Sequence, residues 1–317
     1  MSEPSYGDVT AEYLALRRGA GLVSGINRAI RVSGADAISF LQGLISQDVT
    51  SQPGTVVRSF LLGPQGKLRA LLWVLIGENE VVLITDNEVA GTVVADLSRY
   101  RIRVDVEIEA DPRPVLELWG PEAAATLTTA GVAPVPGWTQ TPDGWVAGIP
   151  LDGLDRFFIV GIELDELVSA GAVRCGELAA TVLRIEAGEP KMGIDVDEST
   201  IPQESGLVPD SVSFTKGCYL GQELVARIDS RGHVNRHLRG LVVMENTLPP
   251  TGAEIFSGEK LVGTVGSVGE SLTLRAPVAL GLVRREVEPG TGVELRWEGG
   301  SVLATVRELP LDDLTDR

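Results

Sequence analysis

The stretch VVRSFLLGPQGKLRALLWVLIGENEVVLIT, Val56 to Thr85, decides the fold class. Its apolar runs are cut by Gly-Pro-Gln-Gly and by Gly-Glu-Asn, and β-rich runs separated by turn residues predict a three-stranded meander. Toward the N-terminus, RAIRVSG alternates as a strand does, and ADAISFLQGLI returns to helical spacing through Ile38, Leu41 and Leu44. TAEYLALRRGAG predicts a helix capped by Thr10. Toward the C-terminus, NEVAGTVVADLSRY reads as a helix and IRVDVEIE as a strand. Strand, helix, meander, helix, strand is the order of a split βαβ-type layer, with helices covering one face of a mostly antiparallel sheet.

A weaker echo follows in PVLELWG, EAAATLTTAG, RFFIVGI and the helix candidate GELAATVLRIEAG, which ends at Gly188. From about Arg239 the chain changes to short strands with Gly-rich turns, the pattern of a small β-barrel. Gly263, Gly266 and Gly269 lack dinucleotide-fingerprint spacing and read as bulges and turns at barrel corners. The predicted class is α+β: two split-βαβ-like sheet-and-helix subdomains, 1–112 and 113–238, and a C-terminal β-barrel, 239–317.

A net charge of −17 repels polyphosphates and argues against general nucleic-acid binding. The N-terminal MSEPSYGDVTAEY lacks the basic and apolar regions of a secretory signal. The apolar run from Ala70 to Ile76 falls far short of the roughly 20 residues of a membrane helix. A cytoplasmic protein without a membrane partner is expected. Cys175 and Cys218 are too few for a disulfide framework. His233 and His237 lack the further ligands of a closed zinc site, so no metal is expected.

Charge is unevenly placed. From Glu186 to Asp210 acidic residues face a single base, Lys191, whereas Lys216, Arg227, Arg231, Arg236 and Arg239 dominate the stretch that follows. These blocks either neutralise each other or line a cleft for an anionic or mixed-polarity small molecule. SFTKGCYLGQE, Ser213 to Glu223, puts the Cys218 thiol two residues from Lys216. If CYLGQELVARI begins a helix at Cys218, its N-terminal amides would favour the thiolate, and Gly217 and Gly221 would admit unusual dihedrals. Cys218 and Lys216 are the candidate catalytic pair, and Cys175 is read as structural.

KGCYLGQE resembles the signature of the YgfZ family of folate-binding proteins, relatives of the glycine-cleavage T-protein (aminomethyltransferase). FLQGLISQDV with LLGPQGKLRALLWV, and LRIEAGEPKMGIDVDESTIPQESGL, resemble further blocks of that family. The resemblance implies a three-lobed ring around a channel for tetrahydrofolate or a one-carbon derivative. It also implies that Glu186 accepts the pterin edge in parallel hydrogen bonds, that Arg227 or Arg231 meets the tail carboxylates, and that Tyr219 and Gln222 join the contacts. The activity expected on this resemblance is an accessory role in iron–sulfur cluster assembly or repair through Cys218, with iron–sulfur enzymes or assembly proteins as partners. The alternative is a folate-dependent aminomethyltransferase. In T-proteins an aspartate follows the third meander strand. Counting along LITDNEVAGTVV puts its counterpart near Gly91 or Thr92, with Asp86, Glu88 and Asp96 close by.

Overall fold

A computed structural model describes residues 2–311, with the Arg231 side chain outside the described set. The chain forms two compact units, Met1–Ala179 with Val208–Ala226, and Ala180–Leu207 with Arg227–Arg317.

The first unit stacks two sheets face to face with helices outside. The five-stranded sheet runs in the order Val56–Leu62, Leu68–Ile76, Glu80–Asp86, Asn27–Ser33, Glu107–Ala110. All its pairings are antiparallel, so the meander forms as the turn residues predict. Ile30, Val32, Leu72, Val74 and Leu83 pack with Leu41 and Leu97 of the helices Ala37–Gln42 and Ala90–Arg99. Ala29, Leu75, Val82 and Ile84 point the other way and meet Trp138, Trp145, Phe158 and Val160 of the second sheet. A sheet buried on both faces needs apolar residues at nearly every position, hence LRALLWVLI in place of strict alternation.

The second sheet is six-stranded, in the order Val173–Arg174, Gly21–Ser24, Leu116–Trp119, Arg156–Val160, Gly144–Gly148, Trp138–Thr141. Gly21–Ser24, unassigned in the sequence reading, joins this sheet, pairing parallel to Val173–Arg174 and antiparallel to Leu116–Trp119. Its outer face packs on the helices Ala123–Thr129 and Leu164–Ser169.

Two local expectations change. The first helix is Val9–Arg18, capped by the Asp8 carboxylate on the Ala11 amide, which places Thr10 inside the first turn. The strand expected over IRVDVEIE contracts to Glu107–Ala110, because Arg103 takes a left-handed φ of 58° and breaks the extended run.

In the second unit, strands Arg236–Val243, Ala276–Arg284, Lys260–Ser271, Glu254–Ser257, Gly292–Trp297 and Gly300–Arg307 close into a barrel around Leu241, Ile255, Val265, Ala279, Leu295 and Val306. The register shifts between Val265 and Val268, so Gly266 lies at a bulge. A Cβ there would sit 2.4 Å from Asp195 Oδ1. The bulge thus admits a buried carboxylate. Asp195 accepts from Ser267 N at 2.7 Å, Ser267 Oγ at 2.9 Å, Lys191 N at 2.8 Å and Arg184 Nη1 at 2.7 Å.

Asp195 is fully buried and Arg184 is 13% exposed in the side chain. Removing one partner strands the other charge, so Asp195→Ala is expected to lower unfolding free energy by about 3–5 kcal/mol. Urea denaturation of the full chain measures this; a loss below about 1 kcal/mol would show that the pair is not integral to the unit.

Candidate functional site

The signature segment lies in the first unit, across the turn that follows the helix Ala37–Gln42. Gln47 Nε2 donates to Asp210 O at 2.9 Å, Ser213 N to Ser46 O at 3.1 Å, and Leu220 N to Gly43 O at 3.1 Å. Lys216 fastens the middle. Its Nζ donates to Ile45 O at 2.9 Å and Gln47 O at 2.7 Å, and lies 5.4 Å from the centroid of the Tyr219 ring. Those carbonyls are where the structure directs the ammonium, making Lys216 a positioning residue for the loop. Burial brings it from its ordinary 10.5 down to about 8, while Asp48 pulls it back up. Tyr219 is buried, and that burial pushes its hydroxyl up to about 12.

Cys218 is exposed. The helix expected to start at it starts at Gln222 and runs Gln222–Arg231, so the helix N-terminal amides lie beyond the thiol. Gln222 Oε1 accepts from Tyr219 N at 3.3 Å, which ties the loop to that helix start. Gly221 has φ 78° and faces the Gly-Pro-Gln-Gly turn, where a Cβ would lie 2.6 Å from Gly63 O. Gly217 stands in open space and has no such requirement. Cys175 is buried in the same unit, its Sγ 3.4 Å from Glu12 O and 3.3 Å from Val173 O, and burial pushes the thiol up to about 12.

The second unit holds Glu186 at the end of the helix Glu177–Ala187, 4% exposed, with Oε1 accepting from Ser271 Oγ at 2.5 Å. Its own backbone carbonyl accepts from Leu311 N at 2.7 Å. Arg184 turns to Asp195 and leaves the Glu186 carboxylate to the Ser271 side. Arg227 is exposed. The Arg231 side chain lies outside the described residues.

The first unit also contains a cationic and aromatic cluster that the sequence reading passed over. Arg58 Cζ sits 4.3 Å over the Trp73 ring. From the facing sheet, Arg156 Cζ lies 6.0 Å from the same ring, 5.1 Å from Trp119 and 5.0 Å from Phe158. Arg156 is 4% exposed and its Nε donates to Ile149 O at 3.0 Å. Glu117 accepts from Asn27 Nδ2 at 2.7 Å and Trp119 Nε1 at 3.1 Å. Burial holds Arg58 at about 9 and Arg156 at about 10; the Arg156 charge depresses Arg58 further, and Asp210 opposes that. The available signal was a charge inside each apolar run: Arg58 in VVRSFLL, Glu117 in VLELW and Arg156 in RFFIV.

The turn where a T-protein aspartate was sought is built of Ala90, Gly91, Thr92 and Val93. Asp96 lies further along and is committed to Arg69 at 2.7 Å and Arg99 at 3.2 Å. Among the described residues no group of three or more His, Cys, Asp or Glu is placed to hold a metal ion, and no helix is long and apolar enough to cross a membrane.

The Lys216 anchor has a pH signature. Between pH 8 and 10.5 the unfolded chain carries the lysine proton that the folded chain has shed, so this residue's contribution to stability rises with pH across that window and is flat below it. Lys216→Met removes the rise. Urea midpoints at pH 7.5 and 9.5 should therefore show wild type gaining on the variant at the higher pH; parallel midpoints would show that the amine is not desolvated.

Residues 3–136 match the GCVT N-terminal domain and residues 236–313 the glycine cleavage T-protein C-terminal barrel domain. An aminomethyltransferase of Methylococcus capsulatus is 30% identical, covering 92% of this chain and 85% of its own. One from Nostoc sp. is 28% identical, covering 96% and 88%. The crystal structure of glycine cleavage system aminomethyltransferase T from Bartonella henselae matches with a TM-score of 0.87 at 24% identity, over 96% of this chain and 90% of its own, a likeness of fold. These relatives, named for aminomethyl transfer along nearly the whole chain, overturn the expected accessory role in iron–sulfur cluster assembly and favour the alternative. The shared domains at both ends and the identity sustained between them place this chain in the glycine cleavage T-protein (aminomethyltransferase) family.

Proposed function

We propose that the protein binds tetrahydrofolate, or a one-carbon derivative of it, and acts as a folate-dependent aminomethyltransferase. The observation that carries this reading is its extended similarity to proteins named aminomethyltransferase. The Glu186 carboxylate fits the folate part. It is buried, and Ser271 fixes it, as recognition of a planar N–H edge requires. Arg227, exposed on its helix, is suited to the folate tail, with Arg231 a turn further on. Tyr219 and Gln222 shape the loop that carries the thiol. Within the family, the resemblance of KGCYLGQE supports a YgfZ-like branch, with Cys218 as an accessible thiol beside the Lys216 anchor.

Transfer of an aminomethyl carbon to tetrahydrofolate as a methylene bridge breaks the carbon's bonds to the amine and to the rest of the donor and forms two bonds to folate nitrogens. The two folate N–H protons leave, one reaching the departing amine and one the departing donor, work for which a positioned carboxylate is suited. The turn counted for that carboxylate offers Gly91 and Thr92, which do not titrate as acids, and Asp96 is held in its ion pairs. With no acid on that turn, proton transfer falls to a neighbouring carboxylate such as Asp86 or Glu88 or to water, and turnover is expected to be slow.

Calorimetric titration with tetrahydrofolate tests the binding. Wild type should bind, and Glu186→Gln should weaken binding about ten- to a hundredfold, as expected for a lost charge-assisted hydrogen bond. Failure of wild type to bind would end the folate reading. Assay of methylene-tetrahydrofolate formed from an aminomethyl donor tests the chemistry: Thr92→Asp should raise the rate about a hundredfold. A wild-type rate that the substitution leaves unchanged would place the acid–base group elsewhere.

A further inference from the structure

We propose that a cavity in the second unit, beside the hairpin turn between the barrel strands Lys260–Ser271 and Ala276–Arg284, binds a free α-amino acid as its zwitterion. The inference goes beyond the folate reading and does not depend on it.

The cavity opens where a strand pairing ends. The strand Arg236–Val243 pairs with Ala276–Arg284 from Arg236 opposite Arg284 to Val242 opposite Val278. The next position on the second strand is Pro277, which has no N–H to continue the ladder. The first strand stays instead with Gly300–Arg307, and Met244 N donates to Leu303 O at 2.9 Å. A cavity of about 400 Å³ lies between 243–246 and 270–277. That volume falls in the range of about 300–1,000 Å³ usual for small-molecule sites.

Its lining carries both signs of charge. Arg275, Glu245 and Glu270 line it together with the Asn246 amide, and all four are exposed. Among the described residues none of these side chains has a hydrogen bond or an ion pair. Met244, 69% exposed, and the half-buried Leu272 add apolar surface to the same lining. An α-amino acid carries the complementary set: a carboxylate for the guanidinium, an ammonium for the glutamates and a side chain for the apolar part. A ligand with only one of the two charges would leave a charged wall without a partner.

The turn that carries Arg275 is held in place. Buried Ser271 accepts from Leu274 N at 3.0 Å and donates to Glu186 Oε1 at 2.5 Å, so the turn is fixed before any ligand arrives. Arg275 takes a left-handed φ of 53°, where glycine would be less strained. The fold gains nothing there from a guanidinium that no described neighbour engages. The competing role is a solvated surface groove.

Titration of the full chain with L-leucine, L-leucinamide and N-acetyl-L-leucine, followed by NMR of the ligand, separates the two roles. Leucine should bind, and leucinamide, without the carboxylate, and N-acetyl-leucine, without the ammonium, should each bind about tenfold more weakly. Arg275→Gln should weaken leucine about tenfold and leave leucinamide unchanged, because that ligand has no carboxylate to lose a partner. The double variant Glu245→Gln, Glu270→Gln should weaken leucine and spare N-acetyl-leucine. Arg275→Gly should lose leucine binding and yet unfold at a higher temperature than wild type, since it removes the strained φ. Wild type that does not bind leucine, or variants that weaken all three ligands equally, overturn the inference. A lower unfolding temperature in Arg275→Gly also overturns it, by making the guanidinium structural.

Discussion

A carboxylate sealed from water holds the second unit in shape, and what Glu186 can do depends on it. After the helix Glu177–Ala187 the chain runs through a loop whose buried backbone amides need partners. Asp195 supplies them, accepting from Lys191 N in its own loop and from Ser267 N at the barrel bulge. Through Arg184 it also fixes the roll of the helix end. Residues two apart on a helix point in different directions, so an Arg184 held toward Asp195 sends Glu186 elsewhere, to Ser271. Gly266 completes the arrangement, since any larger residue would occupy the space of the carboxylate oxygen.

Some cations of the first unit meet carbonyls and aromatic rings. Lys216 is held by two backbone carbonyls and a tyrosine ring, and Arg156 by a backbone carbonyl and aromatic faces. Arg58 lies on an indole. Carbonyl dipoles and ring quadrupoles stabilise a cation without cancelling its charge, whereas a carboxylate partner at contact distance cancels much of it. Asp48, Glu117 and Asp210 stand near enough to act on these groups.

The fold was readable where local chemistry and tertiary packing agree. The 56–85 meander is specified by its own turns, and the closed barrel by short strands with Gly-rich corners. Gly21–Ser24 was not readable, because four residues whose partners lie at 116–119 and 173–174 carry no local pattern. The helix after the signature was placed four residues early, since CYLG has no helix-breaking residue before Gly221 and the bond from Tyr219 N to Gln222 sets the true start. Glu186 and the KGCYLGQE segment drew notice as charge and motif. Arg58, Glu117 and Arg156 did not, for each is one charged residue in a strand whose facing neighbours come from remote sequence.

Family membership leaves the helical turn at Gly91 and Thr92 unconstrained. The fold is held by residues such as Leu72, Val74 and Leu97, whose loss would leave cavities, and by Asp195, whose loss would strand a buried charge. The turn at Gly91 and Thr92 obeys no such constraint: a Cβ on Gly91 would meet nothing within 4 Å, and Thr92 is half-buried. A side chain at that turn can be exchanged at little cost to packing, so an acid there would be held by function alone. A TM-score of 0.87 is accordingly insensitive to whether the acid is present. Kinship fixes the scaffold and the class of ligand, while the side chains on that turn are ones that packing leaves free to vary.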